Sequence, residues 1–114
     1  MTSRIAIVGS RDWPATRLVE VELYVADLPA GTIIISGGAR GPDGYAAHTG
    51  QRCGLAVVEH LPDYATHGRR APLVRNELIA ADCTRMVAYW DGASRGTAHV
   101  ACARRLGKVV EVRG

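Results

Sequence analysis

The chain has 114 residues, 47% of them apolar and 22% charged, with a net charge of +3. That length suits one buried core, so a single domain over residues 1–114 is expected, and the composition excludes a disordered tail, a collagen-like rod and a coiled coil. No apolar run reaches the roughly 18 residues of a membrane span. Met1-Thr2-Ser3-Arg4 leads straight into an apolar segment without a signal-peptide layout, so a cytoplasmic protein with no membrane partner is expected.

Cys53, Cys83 and Cys102 are odd in number and widely spaced, and His48, His60, His67 and His99 keep no ligand spacing. Neither a disulfide framework nor a metal site is expected, and nothing in the sequence implies a cofactor. Thirteen of the fourteen basic residues are arginine, leaving Lys108 alone. Guanidinium forks suit phosphate and carboxylate, although a codon bias would give the same count, so the positions of the arginines have to decide.

Arg4 to Val8 is an apolar run ending at Gly9 and reads as a buried strand. Pro14 opens a helix with Leu18, Val21, Val25 and Leu28 on one stripe, and Pro29-Ala30-Gly31 ends it. Thr32 to Ser36 is a second strand, closed by Gly37-Gly38. Pro42 opens a second helix whose inner face is small (Ala46, Ala47, Gly50, Cys53), and Gly54 stops it. Leu55 to His60 is a third strand, and the polar stretch Pro62 to Arg70 is the longest loop candidate. Pro72 starts a third helix with Leu73, Val74, Leu78 and Ile79 for packing. Met86 to Trp90 is a fourth strand, turned by Asp91-Gly92. Ser94 reads as the N-cap of a fourth helix reaching about Leu106, and Val109 to Val112 is a short last strand. Strands that are continuously apolar and alternate with helices predict an α/β fold. The expectation is one doubly wound Rossmann-like domain of about five parallel strands, with helices on both faces.

In such a sheet, ligands bind beyond the carboxyl ends of the strands. Three segments there share a composition: Gly9-Ser10-Arg11, Gly37-Gly38-Ala39-Arg40-Gly41-Pro42-Asp43 and Asp91-Gly92-Ala93-Ser94-Arg95-Gly96-Thr97. Each holds glycine and one arginine, and each leads into a helix. Glycine admits close backbone approach, a helix start offers free N–H groups, and Ser10, Ser94, Thr97, Arg11, Arg40 and Arg95 add donors. One such loop is ordinary turn chemistry; three on one sheet edge point to an anion. Neither Gly-rich loop is a Walker A or a G-x-G-x-x-G motif. Arg75, near the start of the third helix, runs against the usual preference for acids there. It calls for a partner: an acid inside the fold, an anionic ligand, or a surface salt bridge to Glu77 or Asp82.

Taken in order, Gly9-Ser10-Arg11, Gly37 to Asp43, Arg75-Asn76 and Gly92 to Ala98 resemble the SLOG superfamily. That group joins the LOG cytokinin-activating phosphoribohydrolases with the Smf/DprA DNA-processing proteins, and the likeness is strongest to its small YspA-like single-domain branch. The resemblance covers nearly the whole chain. It implies a nucleotide or nucleotide-derived ligand, with its phosphate on the loop before the fourth helix and Gly38 and Arg40 lining the same pocket. Arg75-Asn76 are similar to the Arg-Asn pair of the DNA-processing members and lie where LOG enzymes carry a working arginine.

One departure bears on chemistry. LOG enzymes carry P-G-G-x-G-T-x-x-E; here Gly96-Thr97 fit, Gly92, Ala93 and Ser94 replace Pro-Gly-Gly, and Val100 stands in place of the glutamate. Valine neither moves a proton nor stabilises an oxocarbenium-like centre. Asp43, Asp91, His99 and Arg75 are the remaining catalytic candidates. Asp43 either touches ligand or caps the second helix, and Asp91 either touches ligand or shapes its turn. Trp90, Tyr45 and Trp13 are rim candidates for stacking on a base, or core residues.

Three functions follow. A binding module that senses or sequesters a nucleotide signal explains the anion loops and the missing glutamate together. A nucleoside 5′-monophosphate phosphoribohydrolase would need Asp43, Asp91 or His99 in place of that glutamate. Single-stranded nucleic acid binding would draw on Arg69, Arg70 and Arg75 but has only six aromatic residues for stacking. A homodimer or higher homo-oligomer is expected, with Arg69 or Arg70 available to complete a partner's pocket.

Overall fold

The structure, a computed structural model, describes residues 3–10, 12–38, 41–90 and 97–114. Among them, five strands form one parallel sheet: β1 (Arg4–Gly9), β2 (Ile33–Ser36), β3 (Ala56–Glu59), β4 (Arg85–Tyr89) and β5 (Val109–Arg113). Their order is β3-β2-β1-β4-β5. The chain steps outward from β1 to β3, then returns past β1 to β4, which makes the fold doubly wound and puts the switch point between β1 and β4. The helices are α1 (Leu18–Ala26), α2 (Pro42–Arg52), α3 (Tyr64–His67), α4 (Ala71–Asp82) and α5 (Thr97–Arg105). Among the described residues no helix is long and apolar enough to cross a membrane.

The strands are apolar throughout because both faces are covered. On β1, Ile5 and Ile7 pack with Val21, Val25 and Ala46 of α1 and α2, while Ala6 and Val8 pack with Ile79, Ala80, Val100 and Ala103 of α4 and α5. β4 alternates in the same way, Val87 and Tyr89 to one side and Met86 and Ala88 to the other. Each fully buried aliphatic side chain contributes about 1.5–3 kcal/mol relative to exposure, which is why an element as short as β2 is stable with Ile34 and Ile35 at its centre.

Close approach needs small residues at two places. A Cβ on Gly50 would lie 3.2 Å from Ile34 and Val57, so α2 rests directly on the sheet, as the Ala46, Ala47 and Gly50 face predicts. A Cβ on Gly9 would lie 2.5 Å from Pro42 Cγ and 2.8 Å from the Tyr89 carbonyl oxygen, so the end of β1 is wedged between the start of α2 and the end of β4.

Three local expectations are corrected and one open alternative is settled. The stretch Pro62 to Arg70 is not a plain loop: Asp63 accepts from the Thr66 N–H (3.1 Å) and caps α3, and a 3-10 turn at Gly68–Arg70 follows. Cys53 is exposed rather than inward, because it falls one residue past the end of α2. On α4, Leu73 and Leu78 are exposed, and the inner face is Ala71, Arg75, Asn76, Ile79 and Ala80. Two polar residues therefore occupy core-side positions that the apolar pattern assigned to leucines. Of the two readings open for Trp13, the core one holds: it is buried edge-on against Tyr89 (5.7 Å between ring centres), with the Arg17 guanidinium 4.4 Å from its ring centre.

Candidate functional site: a donor niche at the carboxyl edge of the sheet

The carboxyl ends of β1, β2 and β4 bring together Gly9-Ser10, Ser36-Gly37-Gly38 and Tyr89-Trp90, with the start of α2 beside them. Ser36 holds the β2–α2 junction. Its buried hydroxyl donates to the Asp43 carbonyl oxygen (3.0 Å) and accepts from the Gly38 N–H (3.1 Å). Ser10 is buried, its N–H donating to the Tyr89 carbonyl oxygen (3.1 Å) and its Oγ accepting from the Asp12 N–H (3.1 Å). Gly41, at φ +87°, begins α2 with no side-chain cap.

Asp43 is not that cap. Its carboxylate turns back into the protein, is 2% exposed, and accepts from the Gly9 N–H (3.1 Å). Burial pushes this carboxyl up to about 7, against the pull of the Arg75 charge and of backbone hydrogen bonds. Asp43 thus links the end of β1 to the start of α2 and is poised between charged and neutral near neutral pH.

Arg75 enters the site from α4 and is buried. Its Nη1 donates to the Gly37 carbonyl oxygen (3.0 Å) and its Nε to Asn76 Oδ1 (3.1 Å). Among the described residues no carboxylate bonds it: Glu77 pairs with Arg105 (3.7 Å) and Asp82 with Arg4 (2.6 Å), so the surface salt bridge considered for Arg75 does not form with either. A guanidinium has five N–H donors, and among the described residues only two of those on Arg75 are used. Asn76, also buried, spends its oxygen on Arg75, which directs its Nδ2 donors away from that bond.

His99 comes from α5. Burial pushes its imidazole down to about 4, and the Arg75 charge pushes the same way, so it is neutral at physiological pH. Its Nδ1 is buried without a hydrogen-bond partner among the described residues. The sheet edge thus gathers Asp43, Arg75, Asn76 and His99, four residues from three helices. Val100, the position of the LOG glutamate, is 2% exposed and packs in the core with Ile79 and Ala103.

Of the other predicted residues, Trp90 is half-buried just past β4, its N–H donating to the Arg113 carbonyl oxygen (3.0 Å). The Tyr45 hydroxyl donates to Glu22 Oε2 (3.1 Å), which turns it toward α1. Thr97 begins α5. Arg11, Arg40, Asp91, Gly92, Ser94, Arg95 and Gly96 lie outside the described residues. Sequence reasoning passed over Glu59 and Leu61, which flank Gly38 on its β3 side. The available signal was positional, since Glu59 is the last residue of a strand whose carboxyl end lies on the ligand edge. Among the described residues, no three His, Cys, Asp or Glu side chains converge as metal ligands.

Comparison with known proteins places this fold. The fold is the Rossmann-like fold of the DprA type. DNA processing protein A from Streptococcus pneumoniae superposes with a TM-score of 0.83 over 99% of this chain, at 19% identity. The Helicobacter pylori protein of the same name, described for its single-stranded DNA binding mode, superposes with a TM-score of 0.81 over 98%, also at 19% identity. The chain spans 51% and 65% of those two proteins, and identity this low speaks for the fold alone. In sequence, the chain is 34% identical over 115 aligned positions to the Gene 61 protein of Mycobacterium phage D29, covering 92% of this chain and 89% of that one, and it belongs to the family of that phage protein. No protein-family model matches the chain.

Proposed function

We propose that the protein is a single-domain, cytoplasmic binding module of the YspA-like kind that takes a nucleotide or nucleotide-derived phosphorylated ligand at this edge, as a sensor or sequestering protein. The observation that carries the reading is Arg75. Its guanidinium is buried, it is fixed by Gly37 and Asn76, and among the described residues it has no bonded carboxylate, which leaves its remaining donors for a phosphoryl group. A buried cation with unused donors is costly unless an anion completes it. Arg11, Arg40, Ser94, Arg95, Gly96 and Thr97 would complete the anion site from the neighbouring loops, with Trp90 at its rim and a second copy of the chain as the expected partner.

Three observations weigh against base release by hydrolysis. Val100 faces the core rather than the edge. His99, pushed down to about 4, is a weak base and is not protonated to serve as an acid at neutral pH. Asp43 has a suitable range but is spent on Gly9. A second reading, single-stranded DNA binding, draws on Arg69 and Arg70, both exposed on the turn that leads into α4.

The test is thermal unfolding against mononucleotides, dinucleotides, cyclic forms and ADP-ribose derivatives. A ligand at 100 times its dissociation constant adds about 2.7 kcal/mol. A shift with one nucleotide recovered intact supports the binding module. Recovery without its base would establish the hydrolase instead. No shift with any nucleotide, alongside salt-sensitive binding of an oligonucleotide, would favour the DNA reading.

A further inference from the structure

We propose that Glu59 reads the hydroxyl groups of the ligand's sugar, which makes the site selective for a phosphorylated ribose with a free vicinal diol. This rests on the phosphate-binding reading above and narrows it to one substrate class.

The geometry turns on two adjacent glycines. A Cβ on Gly37 would lie 3.0 Å from Arg75 Nη1, and a Cβ on Gly38 would lie 2.9 Å from Glu59 Oε2. Successive Cα atoms are about 3.8 Å apart. One backbone step therefore carries a guanidinium, which only donates, on one side and a carboxylate, which only accepts, on the other. Neither position has room for a side chain, so bare backbone separates the two groups, and Gly38 sits at φ +70°, where a side chain would also be strained.

The Glu59 carboxylate also lacks the partner that other acids have found. Glu20, Glu22, Glu77, Asp82 and Glu111 each pair with an arginine, whereas Glu59 has no hydrogen bond or ion pair among the described residues. A ligand spanning Gly37-Gly38 must offer an anion to Arg75 and donors to Glu59. A sugar phosphate has both in one molecule, and the two oxygens of a carboxylate match two neighbouring hydroxyls. The same carboxylate is unfavourable for a polyphosphate or a DNA backbone, which would place negative charge and no 2′-hydroxyl beside it.

The experiment measures binding of AMP and 2′-deoxy-AMP by calorimetry to the wild-type chain, Glu59→Ala and Glu59→Gln. Wild type should prefer AMP by roughly tenfold, the scale of one hydrogen bond to a charged group. Both variants should bring the two affinities within about twofold. Glu59 is exposed and has no partner among the described residues, so the unliganded variants should unfold at the wild-type temperature, and two different replacements guard against an effect of either one alone. Equal wild-type affinities, or a preference that survives both replacements, would overturn the assignment while leaving phosphate binding standing. Wild type binding neither nucleotide would overturn both.

Discussion

Two arginines of this chain sit in opposite circumstances. Arg4, at the start of β1, grips Asp82 through Nε (3.0 Å) and Nη2 (2.6 Å), and the same carboxylate is held at 2.8 Å by His60. That cluster ties β1, the end of β3 and the end of α4 together, and every charge in it has an opposite. Arg75 is more deeply buried, yet its fixed bonds go to a carbonyl oxygen and a neighbouring amide. A fold that needs an arginine for stability pairs it, as at Arg4. A fold that keeps one buried with no carboxylate bonded to it among the described residues gives up stability, and such sacrifices collect where ligands bind.

Replacing each arginine with methionine breaks the comparison most sharply. For Arg75→Met the expected loss is in binding: about 10- to 100-fold weaker nucleotide affinity, the scale of hydrogen bonds to a charged group. Its stability should stay within about 1 kcal/mol of wild type or rise, because a buried charge has been replaced by a side chain of similar volume. For Arg4→Met the pattern reverses. Stability should fall by about 1–2 kcal/mol, since Asp82 keeps only His60, while nucleotide affinity is unchanged. Chemical denaturation and calorimetry on both variants decide the matter. If Arg75→Met unfolds more readily than Arg4→Met and both bind nucleotide like wild type, Arg75 is a structural residue and the niche is not a site.

The glycine wedge offers a smaller, purely mechanical contrast. Gly9→Ala places a Cβ against Pro42 and the Tyr89 carbonyl at distances real Cβ atoms do not adopt, and overpacking of this kind costs about 1–3 kcal/mol. Gly54→Ala meets open space, and only its φ of +78° penalises it, at about 1 kcal/mol. Thermal unfolding of the pair separates steric from conformational cost. Equal losses would mean that β1 and α2 can move apart.

Most of the fold was legible because strand, glycine and helix punctuate this chain regularly. Ile5 to Val8, Ile33 to Ser36 and Met86 to Tyr89 are apolar runs closed by turn residues, and Pro42 and Pro72 fall in first helical turns. What was not legible has a common cause. Helical spacing fits Leu73 and Leu78 to a buried stripe as well as it fits the true one, and only the sheet decides that Arg75 and Asn76 face inward. The helical turns inside Pro62 to Arg70 are too short to carry a period. Within the site, Arg75, Asn76, Asp43 and His99 were nameable from position, but their division of labour was not. That Asp43 serves Gly9 rather than the start of its own helix is a matter of which way one carboxylate turns.

The finest contrast lies inside the niche, between Asp43 and His99, and pH separates them. Asp43 has a folded pKa raised to about 7, so between roughly pH 4 and 7 the native state holds a proton that the unfolded chain has lost. Its contribution is present at low pH and is lost as pH rises toward 7. His99 has a folded pKa lowered to about 4, so between about pH 4 and 6.5 the unfolded chain holds the extra proton, and stability rises with pH. Each slope is at most about 1.4 kcal/mol per pH unit. The two oppose each other up to about pH 6.5, and from there to pH 7 the fall due to Asp43 stands alone. Asp43→Asn should therefore make stability climb more steeply from pH 4.5 to 6.5 than wild type, and His99→Gln should make it climb less or fall. Denaturant titrations at four pH values across that range measure both slopes. Parallel profiles for the two variants would mean that neither group is buried as described, and would remove the basis for a niche in which Arg75 is the one full charge among the four residues gathered there.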